Sequence, residues 1–352
     1  MLYVNARFLT QPLTGVQRYG IEISLQLKEL YGERIKFVAP ANIIHTDIAR
    51  KLNVEIVGKR SGHLWEQIDL LLFLKRYGNP LLLCLGNTAP VCYHNKIVTI
   101  HDITFIRYPD TFSTKFRWFY RTIIPLIIKT SRQIFTVSEF SKDEITQYYK
   151  LDRDRCSVAY NAVSSFFFQK KVEIPREEFF LTVSSVKENK NTLLPLFVFK
   201  KLYQQGENLS LHVIGDLKSS SFHSFDLSEY THVPTIKFVG RVSDEELRDY
   251  YNRAKAFIFP SFYEGFGIPP LEAQSCGCPV LSSNMSCLPE VLGDSVLYFD
   301  PLSNKDLEDK LRALQEDEQL RRRCVEAGFR NCSRFSWKKS ALGYKSFIDS
   351  IL

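Results

Sequence analysis

Short apolar runs alternate along the chain with longer stretches in which apolar residues return every third or fourth position. In the first half, "RIKFVAP", "PLLLCLG", "KIVTIHD" and "QIFTVSE" are apolar without alternation and end in turn or polar residues. That is the pattern of parallel strands buried on both faces. Between them, "GVQRYGIEISLQLKEL" and "SKDEITQYY" carry the helical period. The alternation restarts with "EFFLTVSS", "LSLHVIGD", "IKFVGRV", "AKAFIFPS" and "CPVLSS", with the helix "SDEELRDYYNRA" among them. Ser243 followed by Glu246 predicts a capping box at the start of that helix. Two successive strand–helix series predict an α/β protein with two doubly wound, Rossmann-like domains facing across a cleft, each binding at its strands' carboxyl ends. The periodicity is interrupted by charge and Pro175 over residues 159–178, where the two series join.

Composition narrows this little. The 352 residues suit two domains, taking about 150 residues for each. Hydrophobic residues make up 45% and charged ones 24%, an ordinary globular balance. No run approaches the roughly 18 uninterrupted apolar residues that a membrane span needs. "TIIPLIIKTS" is broken by Pro125 and closed by Lys129, and "MLYVNARFLTQ" lacks the basic and apolar regions of a secretory signal. A cytosolic protein is the expectation. Eight cysteines are too few for a disulfide scaffold, and Cys276 and Cys278 lack the spacing of a metal or redox pair. Free, mostly buried thiols follow. The net charge of +7 is mild. It is compatible with anionic surfaces or phosphate-bearing substrates, while no nucleic-acid-binding module is present. "TKFRWFYRTIIPLIIKTSR", residues 114–132, interleaves cations with Trp118, Phe119 and Tyr120. It reads equally as an interfacial helix or as a buried helix with basic edges.

The densest chemistry lies in "PSFYEGFGIPPLEAQSCGCPV", residues 260–280. A strand runs into a glycine turn and then a helix whose first turn holds Pro269 and Pro270. Gly265 and Gly267 let backbone approach a ligand closely, and amides at a helix start favour an anion such as a diphosphate. Glu264 and Glu272 flank the turn. Carboxylates accept strong charge-assisted hydrogen bonds from sugar hydroxyls. On spacing alone, a glycine turn with solvated or capping glutamates is the competing reading.

The stretch "EGFGIPPLEAQSCGCPVLSSNMSCLPEVLGDSVLYFDP" resembles the donor-site signature of the retaining glycosyltransferases of family 4, mannosyl- and rhamnosyltransferases among them, which have the GT-B fold. The resemblance extends to "TGVQRYGIEI", "GHLWEQIDL", "VTIHDITFIRYPDTF", "FTVSEFSKDEI", "IKFVGRVSDEEL" and the terminal "RFSWKKSALGYKSFI". It implies an acceptor-binding domain over residues 1–163, a nucleotide-sugar-binding domain over 164–334, and a helix over 335–352 that crosses back to the first domain. It also implies roles. Glu264 holds donor-sugar hydroxyls, Glu272 the ribose, and His101 the transferred sugar, with Asp102 in support. Lys190 and the amides of Gly265, Phe266 and Gly267 take the diphosphate. Gly15 admits the phosphates, and backbone near Gly240 and Val242 holds the base. The loop "TVSSVKENKNT" departs from the family: Ser184, beside Ser185, stands at a glycine's place, and Asn189 where a subgroup has arginine. Lys190 is then the one matching cation, with Lys187 able to swing in.

The activity so implied is transfer of a hexose, with retention, from a nucleoside-diphosphate sugar to an acceptor hydroxyl on a glycan or lipid-diphosphate carrier, in surface polysaccharide (O-antigen type) assembly. No cofactor and no metal are called for, since no Asp-x-Asp pair stands in the strands read as lining the cleft. Peripheral contact with the anionic inner face of the plasma membrane is compatible with the basic surplus. Competing readings are a sugar-nucleotide epimerase or phosphorylase on the same fold, and a non-catalytic sugar-nucleotide-binding subunit of a partner transferase. A nicotinamide dehydrogenase is disfavoured, because no Gly-x-Gly-x-x-Gly follows the first strand.

Overall fold

The computed structural model describes residues 1–169, 176–183, 187–215 and 227–352. Its strands form two sheets in which every pairing is parallel. The first contains β1 (Leu2–Asn5), β2 (Ile35–Ala39), β3 (Glu55–Ile56), β4 (Leu81–Cys84), β5 (Lys96–Thr99), β6 (Gln133–Thr136) and β7 (Cys156–Val158), in the order β3-β2-β1-β4-β5-β6-β7. The second contains β8 (Phe179–Val183), β9 (Ser210–Ile214), β10 (Ile236–Gly240), β11 (Ala256–Phe259), β12 (Val280–Ser283) and β13 (Leu297–Phe299), in the order β10-β9-β8-β11-β12-β13. Both are doubly wound, as the alternation predicts.

An interior strand of the first sheet, β1, was not singled out by the pattern, nor were the short β3 and β7. The apolar run of β1 is short, Leu2–Val4 before Asn5, yet all four residues are buried because the strand has β2 and β4 on its two sides.

The chain divides into two units: Met1–Ile106 with Thr114–Asn161 and Ser336–Leu352, and Arg107–Ser113 with Ala162–Phe335. Residues 107–113, placed by the sequence reading in the first domain, group with the second. Within the first unit, the helix Trp337–Asp349 is capped by Ser336 and anchored by Tyr344. The Tyr344 hydroxyl lies 2.8 Å from that of Tyr19 and 2.6 Å from Thr99 Oγ1, and its ring stacks on Phe135 at 4.1 Å. Burying a large apolar side chain is worth ~1.5–3 kcal/mol, and the hydroxyl keeps its partners inside. In the second unit the core gathers β8, β9, β11 and β12 residues such as Phe180, Leu211, Ile258 and Leu281 against helix residues Phe199, Leu202 and Leu311. The expected capping box is present: Ser243 Oγ accepts from Glu246 N, and Glu246 accepts from Ser243 N.

Candidate active site

In an open parallel sheet a crevice forms where neighbouring strands send their connections to opposite faces. In the second sheet that reversal falls between β8 and β11. The loop after β8 contains the short turn Glu188–Lys190, and the loop after β11 contains Glu264 and the glycine turn. Across the reversal Lys190 Nζ meets Glu264 Oε1 at 2.6 Å, with the two side chains 27% and 12% exposed. Asn189 holds the two loops together. It is buried, its Nδ2 donates to the Tyr263 carbonyl at 3.0 Å, and its own carbonyl accepts from Phe262 N at 2.8 Å. Its Oδ1 accepts no hydrogen bond among the described residues. The Glu264 amide donates to Ser286 Oγ at 3.2 Å, and Ser286 itself sits in the left-handed region at φ 54°.

The turn behaves as its glycines require. Gly267 sits at φ 85°, and a Cβ there would come within 2.9 Å of Leu288 Cδ2. It precedes the helix Ile268–Ser275, where Pro269 and Pro270 lack amide hydrogens, so the donors at this helix start come from the turn and Ile268. Gly265 and Phe266 are buried, with Phe266 edge-on to Phe335 at 5.5 Å. Glu272 is also buried, and after burial itself its carboxylate is the next cause that drives the Tyr251 hydroxyl far above its ordinary range. Gly240 takes φ 86° at a register shift in β10 and accepts from Gly215 N at 2.9 Å, while Val242 beyond it is partly exposed. Among the described residues, no hydrogen bond or ion pair joins Gly240 or Val242 to Lys190 or Glu264. Ser184 and Ser185 lie outside the described residues. Lys187 Nζ lies over the Phe112 ring at 5.3 Å.

Gly15, His101 and Asp102 belong to the first unit. Gly15 is exposed at the first position of the helix Gly15–Tyr31. His101 follows β5 and is buried. Its Nε2 lies 3.0 Å from the Leu85 carbonyl, and its ring packs edge-on against Tyr19 at 4.9 Å. Burial lowers its pKa, outweighing the opposing Leu85 carbonyl and Asp102. A carbonyl only accepts, so Nε2 carries the hydrogen and a neutral ring presents Nδ1 as an acceptor. Asp102 accepts from Thr104 N at 2.8 Å, which makes it the support of the turn after His101.

Sequence reasoning missed Ser286, Tyr108 and Phe112. Tyr108 packs on Tyr263 at 5.8 Å beside the site. These residues sit in turns without periodicity, and only the polar turn "SSNMS" carries a local signal for Ser286.

Residues 164–331 match the model of the family "Glycosyl transferases group 1". The chain carries a group 1 glycosyltransferase domain. That domain covers Lys190, Glu264 and the glycine turn. Over the longer chain, the protein is 28% identical to the O-antigen chain mannosyltransferase RfbU of Salmonella typhimurium, covering 90% of this chain and 91% of that one. It is 26% identical to the O-antigen chain mannosyltransferase B of Escherichia coli, with 93% of each chain covered. Among solved structures, Anabaena HepE in complex with UDP and glucose superposes with a TM-score of 0.74 at 15% identity, covering 99% of each chain. WaaG, a glycosyltransferase involved in lipopolysaccharide biosynthesis, superposes with a TM-score of 0.72 at 13% identity and the same coverage. The fold is that of the GT-B glycosyltransferases.

Proposed function

We propose that the protein transfers a hexose, with retention, from a nucleoside-diphosphate sugar to a hydroxyl of a growing surface glycan. The observation that carries this is the Lys190–Glu264 contact at the strand-order reversal, beside a glycine turn that opens a helix. A cation, turn amides and a carboxylate are the groups a sugar diphosphate asks for. When the donor enters, Lys190 turns to the diphosphate and Glu264 to the sugar hydroxyls, so each is held by its partner until the ligand replaces it. The Ile268–Ser275 helix start adds its partial positive charge to the leaving group. Glu272 serves the ribose, and backbone near Gly240 and Val242 the base.

In the reaction the bond between the anomeric carbon and the diphosphate oxygen breaks. The acceptor oxygen bonds to the same carbon from the same face, and its proton passes to the departing diphosphate. The protein's share is positioning and charge stabilisation, with Lys190 aimed where negative charge grows. His101 accepts from a sugar hydroxyl through Nδ1. No metal is assigned to this chemistry. A mannosyl donor is the first choice, supported by the names of the mannosyltransferase relatives, with the base left to a diphosphate binding series. A lipid-linked glycan at the inner face of the plasma membrane is the acceptor proposed.

A thermal-shift and calorimetric series with GDP, UDP and dTDP tests donor binding, followed by NMR of the product's anomeric configuration with and without EDTA. Binding of one diphosphate, retained configuration and indifference to EDTA are expected. A chain that binds none of the three overturns the proposal. Release of an altered sugar nucleotide without acceptor would favour the epimerase reading.

A further inference from the structure

The main chain of His101 is fixed on both sides, and its ring by one nitrogen. His101 N donates to Asn87 Oδ1 at 2.8 Å, and its carbonyl accepts from Thr136 Oγ1 at 3.4 Å. Nε2 donates to the Leu85 carbonyl at 3.0 Å. A single hydrogen bond leaves an imidazole free to tilt about it. The wall against that tilt is Tyr19, whose ring meets the imidazole edge-on at 4.9 Å and 82°. Tyr19 comes from the helix Gly15–Tyr31 and is wholly buried.

Tyr19 is itself held by the terminal helix Trp337–Asp349. Trp337 packs on its ring at 5.8 Å. Its hydroxyl belongs to a buried chain whose direction follows from counting protons. The Ala159 carbonyl, 3.2 Å away, only accepts, so Tyr19 Oη donates to it. That uses the one hydroxyl proton of Tyr19, and Tyr344 Oη, 2.8 Å away, donates to Tyr19 in turn. By the same count Thr99 Oγ1 donates to Tyr344 Oη at 2.6 Å. Thr99 ends β5 two residues before His101, so the contacts leave that strand end through Thr99, Tyr344 and Tyr19 and return to it at the imidazole. Phenylalanine rings would fill this space with no hydroxyl to satisfy. A fully satisfied buried network instead rigidifies what it joins.

We infer that Tyr19 is a positioning residue for the proposed transfer, holding the His101 ring so that Nδ1 faces the sugar, and that Tyr344 holds Tyr19. The inference rests on the proposed glycosyl transfer for the sugar that Nδ1 meets.

Two readouts on the full chain test it. Long-range proton–nitrogen NMR spectra report the imidazole tautomer, with the His101 signals assigned by their loss in His101→Asn. Turnover of GDP-, UDP- or dTDP-mannose, chosen by which diphosphate binds in a thermal-shift series, reports kcat and KM. The wild type shows the Nε2–H tautomer alone. Tyr19→Leu removes the ring, so both tautomers appear and kcat falls roughly thirtyfold through misplacement of the sugar. KM stays near the wild-type value, because the groups assigned to the diphosphate lie in the second unit. Tyr344→Phe cuts the hydroxyl chain and keeps the packing: a minor second tautomer appears and kcat falls about threefold, the loss of one hydrogen bond. That variant decides should Tyr19→Leu fail to fold. Side chains that only fill a core would lower the melting midpoint and leave tautomer and kcat at wild-type values, and that result overturns the inference. A wild type that binds none of the three diphosphates overturns the transferase reading, while the tautomer, which is read without ligand, still decides whether Tyr19 orients His101.

Discussion

Lys190 and Glu264 hold each other across 74 residues of chain, and the proposed chemistry needs both to let go. Exchanging one partner therefore separates binding from turnover. Lys190→Met is expected to raise the nucleoside diphosphate Kd by about tenfold, the loss of one hydrogen bond to a charged group. Glu264→Gln should lower kcat roughly a hundredfold while diphosphate affinity changes little, as misplacement of the sugar predicts. Calorimetry and a product assay check the pair, and full activity in Glu264→Gln would remove its role. His101 supplies a pH prediction. Its folded pKa lies below the ordinary 6.5, so between the two values the unfolded chain binds more protons. Its contribution to stability is complete above about pH 6.5 and is lost as the pH falls through that value towards the folded one. An NMR titration should place the ring's midpoint below 6.5, and a midpoint above it would contradict the neutral-acceptor assignment. The two glutamates were legible as candidates because a glycine-rich motif at a strand end is a local signal, and Lys190 and His101 were named as candidates through the family resemblance. The burial of Asn189 and the packing of Lys187 on Phe112 were not, since each depends on a partner distant in sequence.

Periodicity predicts elements where the burial pattern is itself periodic. The helices Gly15–Tyr31, Glu139–Tyr149 and Asp244–Arg253 follow from it directly. β1 does not, because its apolar run, Leu2–Val4, is only three residues long before Asn5. The segment read two ways resolves into the helix Thr114–Thr130, with Ile123, Ile124, Ile127 and Ile128 buried and Pro125 accommodated inside it. Its outer side exposes Trp118 at 70% and Leu126 at 46% alongside exposed Lys115, Arg121 and Lys129. Among the described residues no helix is long and apolar enough to cross a membrane, so surface contact is the form membrane attachment by this helix would take. Sedimentation with vesicles of mixed phosphatidylcholine and phosphatidylglycerol should carry the protein down at low salt. Trp118→Ser with Arg121→Ser should leave it in the supernatant, and equal sedimentation of both proteins would dismiss the helix as the contact.

Across the molecule, eight free thiols divide by burial: Cys92 is exposed, Cys332 intermediate and the remaining six buried. Burial raises the Cys278 thiol to about 11 and the Cys156 and Cys332 thiols to about 12. Only a thiolate attacks a disulfide reagent. Titration of the native chain with Ellman's reagent at pH 8 should give one fast thiol, lost in Cys92→Ser, with the others appearing on unfolding. Several fast native thiols would contradict the packing. The amino-acid pattern alone determined two strand–helix series, a glycine turn between carboxylates and the absence of any long apolar span, because each reflects burial or backbone freedom among near neighbours. The neighbours of each strand came from folding. Buried parallel strands look alike in sequence, and nothing in an apolar run says which other run will lie beside it. Sheet order therefore placed the reversal and joined Lys190 to Glu264 across it.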